Sequence, residues 1–309
     1  MSILVTGGAG FIGSSLLRQL KKFEERIVCV DKLSYAASLE NVPDDIEFYV
    51  VDLADEDSIK QVFEKETIDT VFHLAAESHV DNSIKDCKPF IQSNVIGTVN
   101  LLQCALEHEV DRFMHISTDE VFGSISYGSF NEESRYKPRN PYSASKAASD
   151  HFVNAYNKTY GLPTIITNCS NNYGPRQFGE KMIPKIINNI MDDIPIPVYG
   201  NGQQIRDWIY VEDHCDALIE LWNSGRVGER YNIGGECELK NIDLVKKIMN
   251  LMGMTTHKIE FVKDRPGHDV RYSTSNEKII TETKWSPTTD ITTGLLKTIE
   301  YYENHRNNT

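Results

Sequence analysis

The sequence predicts an α/β fold: a doubly wound parallel sheet followed by a smaller C-terminal α/β domain. Two observations carry this. Short apolar runs alternate with amphipathic stretches from residue 2 to residue 169, the rhythm of parallel strands joined by helices that cover both faces of a sheet. A glycine-rich turn containing Gly7, Gly10 and Gly13 separates the first apolar run from the first amphipathic stretch.

Residues 2–6 read as an apolar strand, and 13–22 as a helix with Leu16, Leu17 and Leu20 on one face. Strands follow at 27–31 and 47–52. Residues 55–65 have an acidic first turn and then Ile59, Val62 and Phe63 at helical spacing. A strand at 69–75, a long helix at 89–108 and a strand at 112–117 keep the rhythm. A helix at 141–160 starts beside a proline, and a strand at 164–169 ends the run. Beyond Asn171, Gly, Pro, Asn and Gln become frequent. Helices are expected there at 180–191, 213–223, 242–253 and 292–304. We therefore divide the chain into domains 1–170 and 171–309, with part of 205–240 returning to the first.

The chain is 40% hydrophobic and 25% charged, ordinary for a globular protein. Six cysteines without a C-x-x-C pair are expected as reduced thiols of a cytoplasmic protein. The first strand starts at Ile3, so no signal peptide is expected, and no apolar run reaches membrane-span length. The net charge of −13 argues against a nucleic-acid or membrane partner. An anionic ligand would need local cations.

Between a strand and a helix, Gly7, Gly10 and Gly13 allow a tight turn and close approach of a dinucleotide pyrophosphate to free helix N–H groups. Phe11 and Ile12 lie within that turn. Asp31 ends the second strand, where a carboxylate accepts ribose hydroxyls and disfavours a 2′-phosphate, so NAD is expected over NADP. Lys32, beside it, is a cation at the same edge. Asp52 and Leu53 fall at the adenine edge, and Leu74, Ala75 and Ala76 are small enough for close approach.

Of the 14 tyrosines only Tyr142 has a lysine, Lys146, four residues on. That spacing puts both on one helix face, where the ammonium would lower the phenol pKa and hold a cofactor ribose. Thr118, Asp119 and Glu120 follow a strand, at the end where open parallel sheets bind ligands. A surface Tyr–Lys pair and an acidic helix cap would look alike in isolation; the glycine turn upstream favours chemistry. Adjacent carboxyls can serve as acid and base when their pKa values are pushed apart.

At these motifs the chain resembles the extended short-chain dehydrogenase/reductases, whose NAD-binding domain is Rossmann-type, and among them most closely the dTDP-glucose 4,6-dehydratases. The resemblance runs from Ile3 to about Trp285. It includes TGGAGFIG (6–13), HLAAESHVDNSI (73–84), STDEVFG (117–123), NPYSASKAASDH (140–151), RDWIYVEDH (206–214) and DRPGHDVRY (264–272). The Asp-Glu pair is its most specific element. Departures are Phe122 for a usual Tyr, Arg176 and Gly179 for common Tyr and Pro, Ala37 for a frequent Gly, and a short 123–141 connection. Arg176 and this connection are expected to bear most on the nucleotide base.

The resemblance implies a lyase that oxidises C4 of a glucose nucleotide, eliminates water across C5–C6, and returns the hydride to C6. Tyr142 would take the 4-hydroxyl proton with Thr118 bonded to the same group; Glu120 would remove the C5 proton and Asp119 protonate the leaving hydroxyl. It adds Leu33, Ser34, Ser78, Ser93 and Asn172 to the cofactor residues. It places Ser78, Thr118, Asn171, Lys181, Met182, Pro197, Val198, Tyr199, Arg206, Asn241, Arg265, His268 and Tyr272 around the substrate. Arg206 and Arg265 are the diphosphate candidates, with Lys181 and His268 beside them. No metal is required. A homodimer through helices 89–108 and 141–160 is expected. Alternatives are a dehydratase of UDP-glucose or another sugar nucleotide, an epimerase or decarboxylase of the family, and a non-catalytic NAD-binding scaffold.

Overall fold

Residues 1–306 are described by the computed structural model; the last three residues of the expected 171–309 domain lie outside them. The chain begins β1 (Ser2–Thr6), α1 (Phe11–Leu20), β2 (Arg26–Asp31), β3 (Glu47–Val50), α2 (Glu56–Lys65) and β4 (Thr70–His73). Next come α3 (Val80–Lys85), α4 (Lys88–Phe90), a π-helical turn (Ile91–Ile96) and α5 (Gly97–Glu107). β5 (Arg112–Thr118), a 3-10 turn (Asp119–Phe122), α6 (Pro141–Tyr160) and β6 (Thr164–Cys169) follow. The remainder is β7 (Asn171–Tyr173), α7 (Met182–Met191), β8 (Ile196–Tyr199), β9 (Ile205–Tyr210), α8 (Val211–Ser224), β10 (Arg230–Ile233), β11 (Glu238–Lys240), α9 (Asn241–Leu251), β12 (Ile259–Val262), α10 (Glu277–Thr283) and α11 (Ile291–Arg306).

Seven parallel strands form the main sheet in the order β10-β6-β5-β4-β1-β2-β3. Side chains alternate across it, as a strand's period of two requires. Ile3, Val5 and Cys29 pack toward α1 and α8, while Leu4, Val28 and Val30 pack toward α2, α5 and α6. This is the doubly wound Rossmann arrangement that the alternating pattern predicts. The order reverses between β1 and β4, and a crevice opens beyond the carboxyl ends there.

From the second half of the chain, β10 joins the edge of this sheet beside β6, and α8 packs on α1. A smaller layer holds β11-β9-β7 and the β12-β8 pair, built around Ile183, Ile187, Leu244, Ile248 and Leu295.

Element edges differ from the sequence reading in ways the motifs explain. α1 starts at Phe11 rather than 13, because the glycine turn runs straight into the helix with Gly10 as N-cap. β4 stops at His73, and Leu74–Ala76 bend into the crevice. The expected 89–108 helix is interrupted by the π-helical turn. Helices α3 and α10 span too few residues to show a period, and β7–β12 fall where Gly, Pro, Asn and Gln interrupt the alternation.

Candidate active site

The crevice is shaped by backbone first. Gly7 takes φ +74°, and a Cβ there would lie 2.7 Å from the Ala75 nitrogen. A Cβ on Gly13 would run into the Gly7 carbonyl. No side chain caps the α1 N-terminus, so its N–H groups remain for a ligand. Asp31 is buried and its carboxylate accepts from Ala9 N at 3.1 Å and Leu33 N at 2.9 Å. Burial pushes this carboxyl up, and those N–H groups oppose the shift.

Gly7, Gly10, Phe11, Ile12, Gly13, Asp31, Lys32, Ser34, Asp52, Leu53, Leu74, Ala75, Ala76, Ser78, Ser93, Tyr142, Lys146 and Asn172 all line one cleft. Leu33 does not. Its backbone turns through φ +54° to bond Asp31. Lys32 Nζ donates to Ser93 Oγ at 2.6 Å and pairs with Glu77 at 2.9 Å. Lys32 follows β2 and Glu77 follows β4, the strands that flank β1, so this bridge links the two sides of the crevice. The glycine cradle, the open helix N-terminus and the Asp31 carboxylate fit a dinucleotide.

A second cleft is lined by Ser78, Asn171, Lys181, Met182, Pro197, Val198, Tyr199, Arg206, Asn241, Arg265, His268 and Tyr272. Thr118 lines the first cleft instead. The two clefts share Ser78, Glu120, Asn171 and Lys181. Arg206 is buried over the Tyr272 ring at 4.3 Å, bonded to the carbonyls of Ile205 and Asp269. Arg265 lies over Tyr199 at 4.6 Å and pairs with Asp81 at 3.3 Å. Lys181 Nζ donates to the Ser78 carbonyl at 2.9 Å, and His268 pairs with Asp264 at 2.6 Å. Asn171 Oδ1, Asn241 Oδ1 and Trp208 Nε1 are buried here without a hydrogen-bond partner, as ligand-facing groups would be.

Where the clefts meet, Thr118 ends β5 and caps the 3-10 turn, its Oγ1 accepting from Glu120 N at 3.3 Å. The turn directs Asp119 inward, where it is buried with Oδ2 unpartnered. Burial pushes the Asp119 carboxyl well above its ordinary range, and the negative charges of Glu120 and Asp207 add to this. Glu120 accepts from Ser143 Oγ at 3.1 Å and Asn140 Nδ2 at 3.4 Å. Asn140 also caps α6 by accepting from Ser143 N at 2.9 Å, with Pro141 in the first turn. That cap aims Tyr142, half-buried, into the junction.

A family model for GDP-mannose 4,6 dehydratase matches residues 4–298. The chain belongs to this family. The dTDP-glucose 4,6-dehydratase of Neisseria meningitidis serogroup B is 48% identical over 97% of this chain and 92% of its own. That of Haemophilus influenzae is 48% identical over 98% of both. The crystal structure of DesIV, a dTDP-glucose 4,6-dehydratase from Streptomyces venezuelae with NAD and TYD bound, superposes with TM-score 0.96 at 41% identity, covering 99% of this chain and 98% of that one. A Thermus thermophilus UDP-glucose 4-epimerase complexed with NAD reaches TM-score 0.94 at 27% identity, covering 98% and 99%. The fold is thus common to several activities, while sequence identity sides with the dehydratases. The resemblance to extended short-chain dehydrogenase/reductases is borne out.

Two expectations for this family member need correction. The lysine was expected to lower the Tyr142 pKa. Instead burial, then Glu120 and Cys169, push the phenol well above its ordinary value. Lys146 Nζ donates to the Ile116 carbonyl at 2.8 Å. Arg176 was expected near the nucleotide base. Its backbone takes φ +67°, and its guanidinium donates to Ser14 Oγ at 3.3 Å and Ser15 Oγ at 3.1 Å on α1, so it lines neither cleft. Cleft residues that the sequence reading did not name as site residues include Val30, Val51 and Phe178 in the first, and Asp81, Asn140 and Trp208 in the second. Asp81, Asn140 and Trp208 lie inside the 73–84, 140–151 and 206–214 motifs, which is the signal that points to them. Among the described residues no group of three or more candidate metal ligands converges, and no helix is long and apolar enough to cross a membrane.

Proposed function

We propose that this chain is a dTDP-glucose 4,6-dehydratase: an NAD-dependent hydro-lyase that makes dTDP-4-keto-6-deoxyglucose and water for deoxysugar biosynthesis of the rhamnose type. The observation that carries the reading is the buried Asp119, its Oδ2 unpartnered and its carboxyl pushed up by burial, beside a hydrogen-bonded Glu120 where the two clefts meet. Bound NAD supplies the hydride acceptor for C4 and the donor for C6. Tyr142 takes the proton of the 4-hydroxyl as a phenolate, whose charge the Lys146 ammonium favours against the burial that opposes it, and Thr118 orients that hydroxyl. Once C4 is a ketone, the C5 proton is acidic and Glu120 removes it. Asp119 hands its proton to the departing 6-hydroxyl, which leaves as water. Arg206 and Arg265 hold the diphosphate, and Arg265 exchanges its Asp81 partner for phosphate oxygens.

The chain works as a cytoplasmic homodimer, with 1–170 as the NAD-binding domain and 171–309 binding the sugar nucleotide. Supporting the dimer, Ile91, Ile96 and Phe152 are exposed on the π-helical turn and on α6, which pack against each other. Six free cysteines suit a reducing compartment.

The test is mass spectrometry of dTDP-glucose, and separately of UDP-glucose, after incubation with the protein and NAD. Loss of one water without net reduction of NAD is expected, faster for the thymidine nucleotide. Faster UDP-glucose conversion would reassign the base. An unchanged mass with galactose configuration would make it an epimerase, and no conversion of either would sink the reading.

A further inference from the structure

A buried polar cluster centred on Asp150 adjoins Lys146 on α6, and the chemistry above gives Asp150 no part. Lys146 and Asp150 are both buried on α6, and their four-residue spacing puts them on one face. The Asp150 carboxylate is fully enclosed and takes hydrogen bonds from three directions. From β5 come His115 Nε2 at 3.1 Å and Ser117 Oγ at 2.9 Å. Tyr136 Oη donates at 2.6 Å from the segment before α6, and Asn168 Nδ2 at 3.3 Å from β6.

A carboxylate with four donors and no solvent holds its negative charge, and such a charge needs a cation nearby. The groups that face the cluster can be taken in turn. Burial lowers His115 to about 4 and His73 well below its ordinary value, so both rings, 5.3 Å apart, are neutral at pH 7. The Cys169 thiol is pushed up to about 12 and stays protonated. Arg230 lies over the Tyr136 ring at 4.5 Å, and the exposed His151 packs against the same ring. Lys146 is the remaining cation, and it shares Asp150's own helix face. Its hydrogen bond goes to a neutral carbonyl, Ile116 O, at 2.8 Å. Burial pulls Lys146 toward the neutral amine, and Asp150 leads the groups that oppose this.

We infer that Asp150 is a positioning residue: the buried counter-charge that keeps Lys146 an ammonium beside Tyr142. The inference rests on the roles proposed for Tyr142 and Lys146. A neutral amine there would leave the developing phenolate among Glu120 and Asp119 with no opposing charge.

The first experiment isolates the oxidation step. dTDP-xylose lacks C6, so it can be oxidised at C4 but not dehydrated, and Asp119 drops out of the pH profile. The rate is read by stopped-flow absorbance of the nicotinamide. In Asp150→Asn the alkaline limb moves down by about 1–3 pH units, the range for loss of a close opposite charge. Tyr136→Phe removes one hydrogen bond but keeps the carboxylate, and its limb stays in place. A uniform loss of rate in Asp150→Asn with an unmoved limb overturns the proposal.

The second experiment needs no turnover. Lys146→Met and Asp150→Asn each lower Tm, and the double variant recovers more than half of the summed loss, because it removes both charges. Additive losses overturn the pairing. If Asp150→Asn alone does not fold, the double variant is expected to fold, and its failure counts against the proposal. Wild-type protein that neither oxidises dTDP-xylose nor dehydrates dTDP-glucose would refute the functional reading, while the thermal cycle still decides the charge pairing.

Discussion

Asp119 and Glu120 are adjacent in sequence and oppositely housed. Glu120 takes two donors from the start of α6, whereas Asp119 is buried against Thr118 alone. This housing makes Asp119 a proton donor and also costs stability. The sign follows from the protons bound. Unfolded, Asp119 ionises near the ordinary carboxyl value of 3.8; folded, burial pushes it well above that. The folded state therefore binds more protons between those values, and stability falls as pH rises through the window. Asp119→Asn should lower dehydration about 10²–10⁴-fold while raising Tm at pH 7 relative to wild type, with the Tm gain vanishing near pH 4. Thermal scans at both pH values and a turnover assay check it; equal gains at both would refute the protonation argument. This pair was legible because it follows Ser117-Thr118 at the end of a strand, downstream of the glycine turn and close to the Tyr142–Lys146 spacing. Arg176 was not, because a left-handed backbone sends its side chain to α1 and no motif reports φ.

At the scale of elements, β1 to β6 could be read because these apolar runs alternate with amphipathic helices of ten residues or more, α1, α2, α5 and α6. The substrate cleft draws on β8, β9 and the loop after β12, elements of four to six residues that leave no such trace. The α1 turn carries a sharper demand. Gly13→Ala puts a methyl group into the Gly7 carbonyl, so the turn must shift. We expect a cost of about 1–3 kcal/mol together with loss of bound NAD, read by calorimetry and by the nucleotide released on acid denaturation. Retained NAD with unchanged Tm would contradict the cradle. The Lys32 bridge to Ser93 and Glu77 acts on the same crevice. Lys32→Ala should speed NAD release while lowering folding stability by no more than about 1 kcal/mol, as for a partly exposed pair. NAD dissociation followed by fluorescence gives the answer, and an unchanged release rate would make the bridge incidental.

For the whole molecule, charge and apolar surface pull in opposite directions. Each chain carries −13, so two copies repel one another, and repulsion between surfaces is strongest at low ionic strength. Ile91, Ile96 and Phe152, each at least 40% exposed, form an apolar face that favours burial against a second copy. A dimer built this way should weaken as salt is lowered, the reverse of one held by complementary ion pairs. Placing a further negative charge in the face, as in Phe152→Glu, should give a monomer of about 35 kDa, with Tm at high protein concentration falling toward the concentration-independent value of the monomer. Light scattering across a salt series measures both effects. If Phe152→Glu stays dimeric, or if low salt tightens the dimer, the contact lies elsewhere and is polar. The exposed α6 face would then need another explanation, because α6 also carries Tyr142 and Lys146 and anything that covers its outer side steadies them.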